Sequence, residues 1–471
     1  MIVIFVHGWS VQNTDTYGDL PKWLAAQGSA GGVEIEVGNV YLGRYVSFDD
    51  TVTMDDIARA FDQAVRDELQ NKLKAGQRFA CITHSTGGPV VRKWMDLYYQ
   101  DKLDKCPLSH LIMLAPANHG SALAQLGKSR LSRIKAFFGG VEPGKRVLDW
   151  LELGSDDSWE LNQSSLDCDC LKNGIFSFVL TGQTIDRHLY DALNSYTGEP
   201  GSDGVVRVAG ANMNYTFLRL RQDQNKLVVE KSRRSPATAL GVLPGRSHSG
   251  DSIGIIRSVT MDNAAEHPTA QWVARCLNVR SKTAYNALAA DLAVLTSATQ
   301  KAEQTEKVRK LIGTTTYETD RYSMVVFRLV DDRGNPLSDY DLHLTAGPKY
   351  DDNELPAGFF QDRQRNQRNP GKLTYFLNYD VMEDGITKPK MEGKLGFRVI
   401  ARPEEGDDAL VFYRALDFRS SLATIDKILQ PNETVMIELV LQRRVDKAVS
   451  RMTNDLTPAS IDGKPTGTLA D

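Results

Sequence analysis

Apolar positions in the first 280 residues fall into two patterns that alternate along the chain. Residues 2–6, 79–82, 108–114 and 176–180 are short continuous apolar runs with polar borders. Runs of that length and composition fit strands buried on both faces. Between them the spacing changes to three and four. Residues 15–27 predict a helix, and 54–74 predict a long amphipathic one with Ile57, Ala60, Phe61, Ala64, Val65 and Leu69 on one face. Residues 33–45 are strand-like. Strands alternating with helices predict an α/β class fold, a mostly parallel sheet flanked by helices, over residues 1–280.

Two other patterns complete the chain. Residues 281–312 are alanine-rich and lack Gly and Pro, which predicts a long helix. We expect a helical linker over 281–318. From residue 322 onward, apolar-polar alternation broken by turn residues predicts a C-terminal antiparallel β-sandwich domain over 319–445. The polar residues 446–471 are expected to form a loose tail. Within the first domain, residues 118–173 form an insertion. It carries Phe137, Phe138, Trp150 and Leu151 in two short amphipathic stretches. These either complete the core as small helices or form a lid over an acyl-chain pocket.

Composition narrows the function classes. Of the 471 residues, 41% are hydrophobic and 25% charged, ordinary values for a globular protein. A net charge of −4 argues against a nucleic-acid surface. No apolar run approaches the roughly 20 residues of a membrane-spanning helix. The apolar start, MIVIFVHGWS, lacks a basic segment and is too short for a signal peptide, so the protein is expected to be made in the cytoplasm. Five cysteines form no disulfide framework, and the Cys168-Asp-Cys170 pair reads as free thiols rather than a metal site.

The candidate chemistry centres on CITHSTGG, residues 81–88. A buried strand runs into it, and PVVRKWMDLYY leaves it with helical spacing. Ser85 therefore sits at a strand–turn–helix junction, the setting of a nucleophile elbow. The usual elbow is G-x-S-x-G. Gly87 occupies its last position, and Thr83 replaces its first glycine. A serine hydroxyl needs a histidine to take its proton and an acid to orient that histidine. The chain order in such folds is serine, acid, histidine. Of eight histidines, His248 in the loop VLPGRSHSGDS fits best. Asp203, in the Ser-Asp-Gly turn of GEPGSDGVV, is the candidate acid, and Asp186 is its rival. Two backbone N–H groups are needed for the oxyanion. Thr86 offers one and Trp9 of VHGW the other, with Gly8 allowing close approach and His7 pinning the loop.

These stretches resemble the α/β-hydrolase lipases. VHGW is similar to their oxyanion loop, THSTGG to their elbow, and SDGVV to their acid-bearing turn. APANHGS, residues 115–121, partly matches the stretch that follows their next strand. The resemblance covers about 60% of the chain and implies lipid ester hydrolysis at Ser85, with no metal or cofactor in the chemistry. It implies a lipid or phospholipid substrate at a membrane surface. A small-ester esterase, an acyltransferase, and an inert binding scaffold are the alternatives. The architecture also resembles lipase effectors of type VI secretion, toxins exported without a signal peptide. In that setting the β domain would meet a secretion-apparatus or immunity partner.

Overall fold

The computed structural model describes residues 1–7, 14–30, 35–42, 49–69, 72–73, 76–125, 144–186, 199–309, 314–318, 320–403, 411–445, 460–461 and 464–465. Its first half is a six-stranded, wholly parallel sheet. The strands are β1 (Ile2–His7), β2 (Glu36–Tyr41), β3 (Phe79–His84), β4 (Leu108–Leu114), β5 (Phe176–Thr181) and β8 (Ala239–Val242), in spatial order β2-β1-β3-β4-β5-β8. Strand side chains alternate between two faces. Ile2, Ile4 and Val6 point into one core with Phe61, Trp94 and Trp150. Val3 and Phe5 point into the other with Leu20, Val273 and Leu292. Both faces are covered, which is why these strands read as unbroken apolar runs.

Helices α1 (Leu20–Ala30), α2 (Met54–Leu69) and α3 (Gly87–Tyr99) flank the sheet. The insertion at 118–173 contributes α4 (Lys145–Leu151) and α5 (Asp156–Ser165). Trp150 and Leu151 are buried in the core. These two side chains lie in the hydrophobic interior and are not exposed. Phe137 and Phe138 lie outside the described residues. Helix α6 (Pro268–Leu277) is capped by His267, whose side chain accepts from the Thr269 N–H.

The expected linker helix is α7 (Lys282–Glu303), and it is not a free spacer. Tyr285, Leu288, Leu292, Thr296 and Thr299 form a buried stripe at helical spacing. The Tyr285 hydroxyl donates to the Ser177 carbonyl at 2.8 Å and accepts from the Ala239 N–H at 2.9 Å. A hairpin, β9 (Thr305–Arg309) with β10 (Thr314–Glu318), follows.

The C-terminal β domain is a mixed sheet of nine strands, not a purely antiparallel one. Two of its strands come from the first half: the hairpin β6 (Tyr215–Asp223) and β7 (Lys226–Arg234). The others are β11 (Tyr322–Asp331), β12 (Tyr340–Ala346), β13 (Phe360–Arg365), β14 (Lys372–Asn378), β15 (Lys394–Ala401), β17 (Leu416–Ser421) and β18 (Thr434–Leu441), with a two-residue β16 (Val411–Phe412) outside it. The order is β12-β15-β17-β7-β6-β18-β11-β14-β13. Strand β18 runs parallel to both β6 and β11. The sheet curls over itself. Phe327 on β11 meets Phe397 on β15, ring centroids 5.1 Å apart, across four intervening strands. The Tyr375 hydroxyl on β14 reaches the Leu342 carbonyl on β12 at 2.6 Å. A boundary at residue 280 thus cuts through a shared sheet.

Burial holds several histidines neutral, His110 and His119 among them. Desolvation pushes His110 down to about 4, and desolvation together with the Arg92 guanidinium pushes His119 down to about 3. In the unfolded chain a histidine takes its proton near pH 6.5. Below that pH the unfolded chain binds protons that the folded chain refuses, so stability falls as pH drops from about 6.5 towards 4. The urea midpoint should decline across that window, and His119→Gln should make the decline shallower.

Candidate active site

The turn after β3 creates the site. Ser85 has φ +54°, in the left-handed region that a residue with a Cβ enters at a cost. Main-chain bonds hold it there. Its N–H donates to the Leu114 carbonyl at 3.0 Å, and its carbonyl accepts from Gly88 at 3.3 Å and Ala117 at 3.4 Å. The same stapling continues across the strand ends: Ala115 N–H to Leu180 O at 2.8 Å, and Leu243 N–H to Thr181 O at 2.7 Å. The C-terminal edge of the parallel sheet is therefore a fixed platform, the usual place for chemistry in such sheets.

Helix α3 begins two residues after Ser85 and must pass close to β3. A Cβ on Gly87 would stand 3.2 Å from the Thr83 Cβ. A Cβ on Gly88 would stand 2.9 Å from the Pro116 Cβ. Thr83, the departure from the elbow pattern, is fully buried and fits because Gly87 has no side chain. Thr86 lies at the N-terminus of α3, whose first amides have no acceptor within the helix. Its N–H joins the positive end of the helix dipole. His7 ends β1, but its side chain, Gly8 and Trp9 are outside the described residues. The Tyr17 hydroxyl anchors the approach to that stretch, donating to the Val6 carbonyl at 2.6 Å.

His248 lies in the loop after β8, with no solvent exposure. Its Nδ1 meets Asp203 Oδ2 at 2.9 Å, and its backbone N–H donates to the Asp203 carbonyl at 2.9 Å. A carboxylate accepts from Nδ1–H and leaves Nε2 as the basic nitrogen. The other Asp203 oxygen accepts from the N–H groups of Val205 and Val206, at 3.1 and 2.8 Å. The turn is thus wrapped around its own carboxylate, and Gly204 at φ +95° permits that shape. Asp186, the rival acid, is buried elsewhere in the same region. Its Oδ2 lies beside Gly250, 2.7 Å from where a Cβ would be. Of the two candidates, Asp203 is the one paired with the His248 ring.

Sequence reasoning passed over His84. Its Nε2 donates to the His248 carbonyl at 3.1 Å, and the two rings lie 4.7 Å apart. Burial, reinforced by His248, keeps His84 well below the ordinary histidine range, so it is a neutral donor. The residue before Ser85 thereby touches the loop of His248, and this brings Ser85 and His248 to one edge. Its adjacency to Ser85 was the available signal. Arg92 was also missed. Its buried guanidinium donates to Asn118, Asn162 and Ser165, fixing the loop after β4 to α3 and α5. Cys168 and Cys170 are free, sulfurs 4.0 Å apart. Among the described residues, no three His, Cys, Asp or Glu side chains converge as metal ligands.

The glycine geometry makes an ordering testable by thermal unfolding. Alanine gains about 1 kcal/mol of helix propensity over glycine, whereas overpacking costs about 1–3 kcal/mol. Gly88→Ala should lower Tm more than Gly87→Ala.

No protein-family model matches the chain, and no curated relative does. Two solved structures of phospholipase PlaB from Legionella pneumophila match it from end to end. One shares 68% identity, covers 100% of this chain and 99% of its own, and superimposes with a TM-score of 0.92. The other, a complex with thio-NAD, shares 65% identity, covers 100% of both chains, and has a TM-score of 0.90. With that identity over its whole length, the chain belongs to the PlaB phospholipase family.

Proposed function

We propose that this chain hydrolyses carboxylic ester bonds of phospholipids through an acyl-enzyme on Ser85. The observation that carries the chemistry is the buried His248–Asp203 hydrogen bond at the strand ends that also hold Ser85. The substrate class is supported by the full-length likeness to PlaB, a phospholipase.

On this reading His248 Nε2 takes the Ser85 proton as Oγ attacks the ester carbonyl. The Thr86 N–H and a second amide, assigned to Trp9, hold the negative oxygen. The tetrahedral centre collapses, the C–O bond to the lysolipid breaks, and Nε2 returns the proton to the leaving oxygen. A water, deprotonated by Nε2, then attacks the acyl carbonyl, and the fatty acid departs as Ser85 recovers its proton. Asp203 stays ionised and steadies the imidazolium. This sequence moves protons and an acyl group and transfers no electrons to or from a redox partner.

Three outcomes test the reading. Ser85→Ala should lose both labelling by a fluorophosphonate probe and fatty-acid release from phospholipid micelles. Labelling that persists in this variant removes Ser85 as the nucleophile. Asp203→Asn should lower kcat by about 10⁴, the scale seen when a triad acid loses its charge, and Asp186→Asn should stay within a few-fold of wild type. A lipase should prefer phospholipid micelles to soluble short-chain aryl esters, and the opposite preference supports the small-ester alternative.

A further inference from the structure

Asp203 does not hold itself in place. Its turn closes through a bridge between Ser202 and Arg207 and a bond from the Val208 N–H to the Gly201 carbonyl at 2.9 Å. Because the Asp203 carboxylate is wrapped by the amides of this turn, any shift of the turn shifts the carboxylate. The stem of the turn is gripped by the C-terminal β domain. Arg207 is 2% exposed along its side chain. Its guanidinium makes a two-pronged contact with Glu199, Nε to Oε2 at 2.9 Å and Nη2 to Oε1 at 2.7 Å. The same Nη2 reaches Asp362 Oδ2 on β13 at 2.5 Å, and the group lies over the Phe376 ring at 4.2 Å. Gly201 lies against the Tyr322 ring, which leaves no room for a Cβ. Thr434 Oγ1 of β18 donates to the Ala209 carbonyl at 2.8 Å, and the Asn212 amide donates to the Asn432 carbonyl at 2.7 Å.

We infer that Arg207, clamped between Glu199 and Asp362, is a positioning residue for the triad acid, and that the β domain is thereby part of the active-site frame. The inference rests on the reading of Asp203 as that acid. An arginine fork fixes both distance and plane, which a lysine or a neutral side chain cannot do. Asp362 sits 155 residues beyond Arg207 in sequence, on β13. It acts through the turn.

The test uses the full chain with Asp362→Asn, and Arg207→Lys as a second variant that keeps the charge but loses the fork. Rates are expressed per site titrated with the fluorophosphonate probe, so loss of folded protein does not enter. A displaced acid should lower kcat about tenfold with KM within about twofold, given the sensitivity of rates to ångström-scale misplacement. It should also move the acidic limb of the kcat/KM profile towards lower pH, because a misaligned carboxylate stabilises the His248 imidazolium less. A purely structural role would leave that limb where it was. As a control, Asp417→Asn, which breaks the Arg398 pair on the same domain, should change neither quantity. In an Asp203→Asn background, Asp362→Asn should have no further effect on the labelling rate, since the two act in series. Wild-type kcat and limb in both variants, or an equal loss in the Asp203→Asn background, overturns the clamp. If Asp203→Asn itself keeps wild-type turnover, it is the triad reading that fails, and the two failures are told apart.

Discussion

The structure depends on one strained residue and the backbone bonds that hold it. Ser85 occupies a conformation that costs about 1–3 kcal/mol outside glycine. It stays there because its N–H is committed to Leu114 at the end of β4 and its carbonyl to Gly88 of α3 and Ala117 of the following loop. The parallel ladder in turn requires close helix approach on one side, met by Gly87 and Gly88, and continuous apolar strands buried on both faces. Backbone strain of this kind is stable only where the surroundings over-determine it, and at Ser85 they do so through main-chain groups that side-chain variation leaves untouched.

The second constraint is a division of labour between two sheets. The parallel sheet supplies the platform for Ser85 and, through the loop after β8, for His248. The curled mixed sheet holds the segment that carries Asp203. A polar seam joins them: Arg207 with Asp362, Lys372 with Asp156, Arg368 with Asp149, and Asn366 on the Leu153 carbonyl. Several of these groups are buried, and a buried charge left without its partner costs far more than the pair contributes. The seam therefore fixes register between the sheets more than it adds net stability.

Much of this was legible in the residues, for physical reasons that differ from place to place. The parallel strands announced themselves because burial on both faces removes every polar position. Ser85, Asp203 and His248 could be singled out because each residue type is needed in a given order. The choice of Asp203 over Asp186 was not readable, since both are aspartates in loops beyond strands, and only the partner of His248 Nδ1 separates them. Residues 282–303 looked like a spacer because alanine dominates their composition, yet Tyr285, Leu288 and Leu292 carry a buried stripe. Of the hairpin at 215–234 only KLVVEK, residues 226–231, reads as a strand, and its sheet was not visible. Strand pairing across 200 residues is decided by burial and register that no local pattern encodes.

That last pairing reaches beyond the finished molecule. Strand β6 finds its outer neighbour only in β18, so one row of its amides and carbonyls has no strand to bond until residues 434–441 exist. A chain emerging from the ribosome completes its platform early and its acid-bearing segment last. Non-local closure of this kind slows folding. Until those residues exist, the segment that carries Asp203 lacks the β18 contact that grips it in the finished fold.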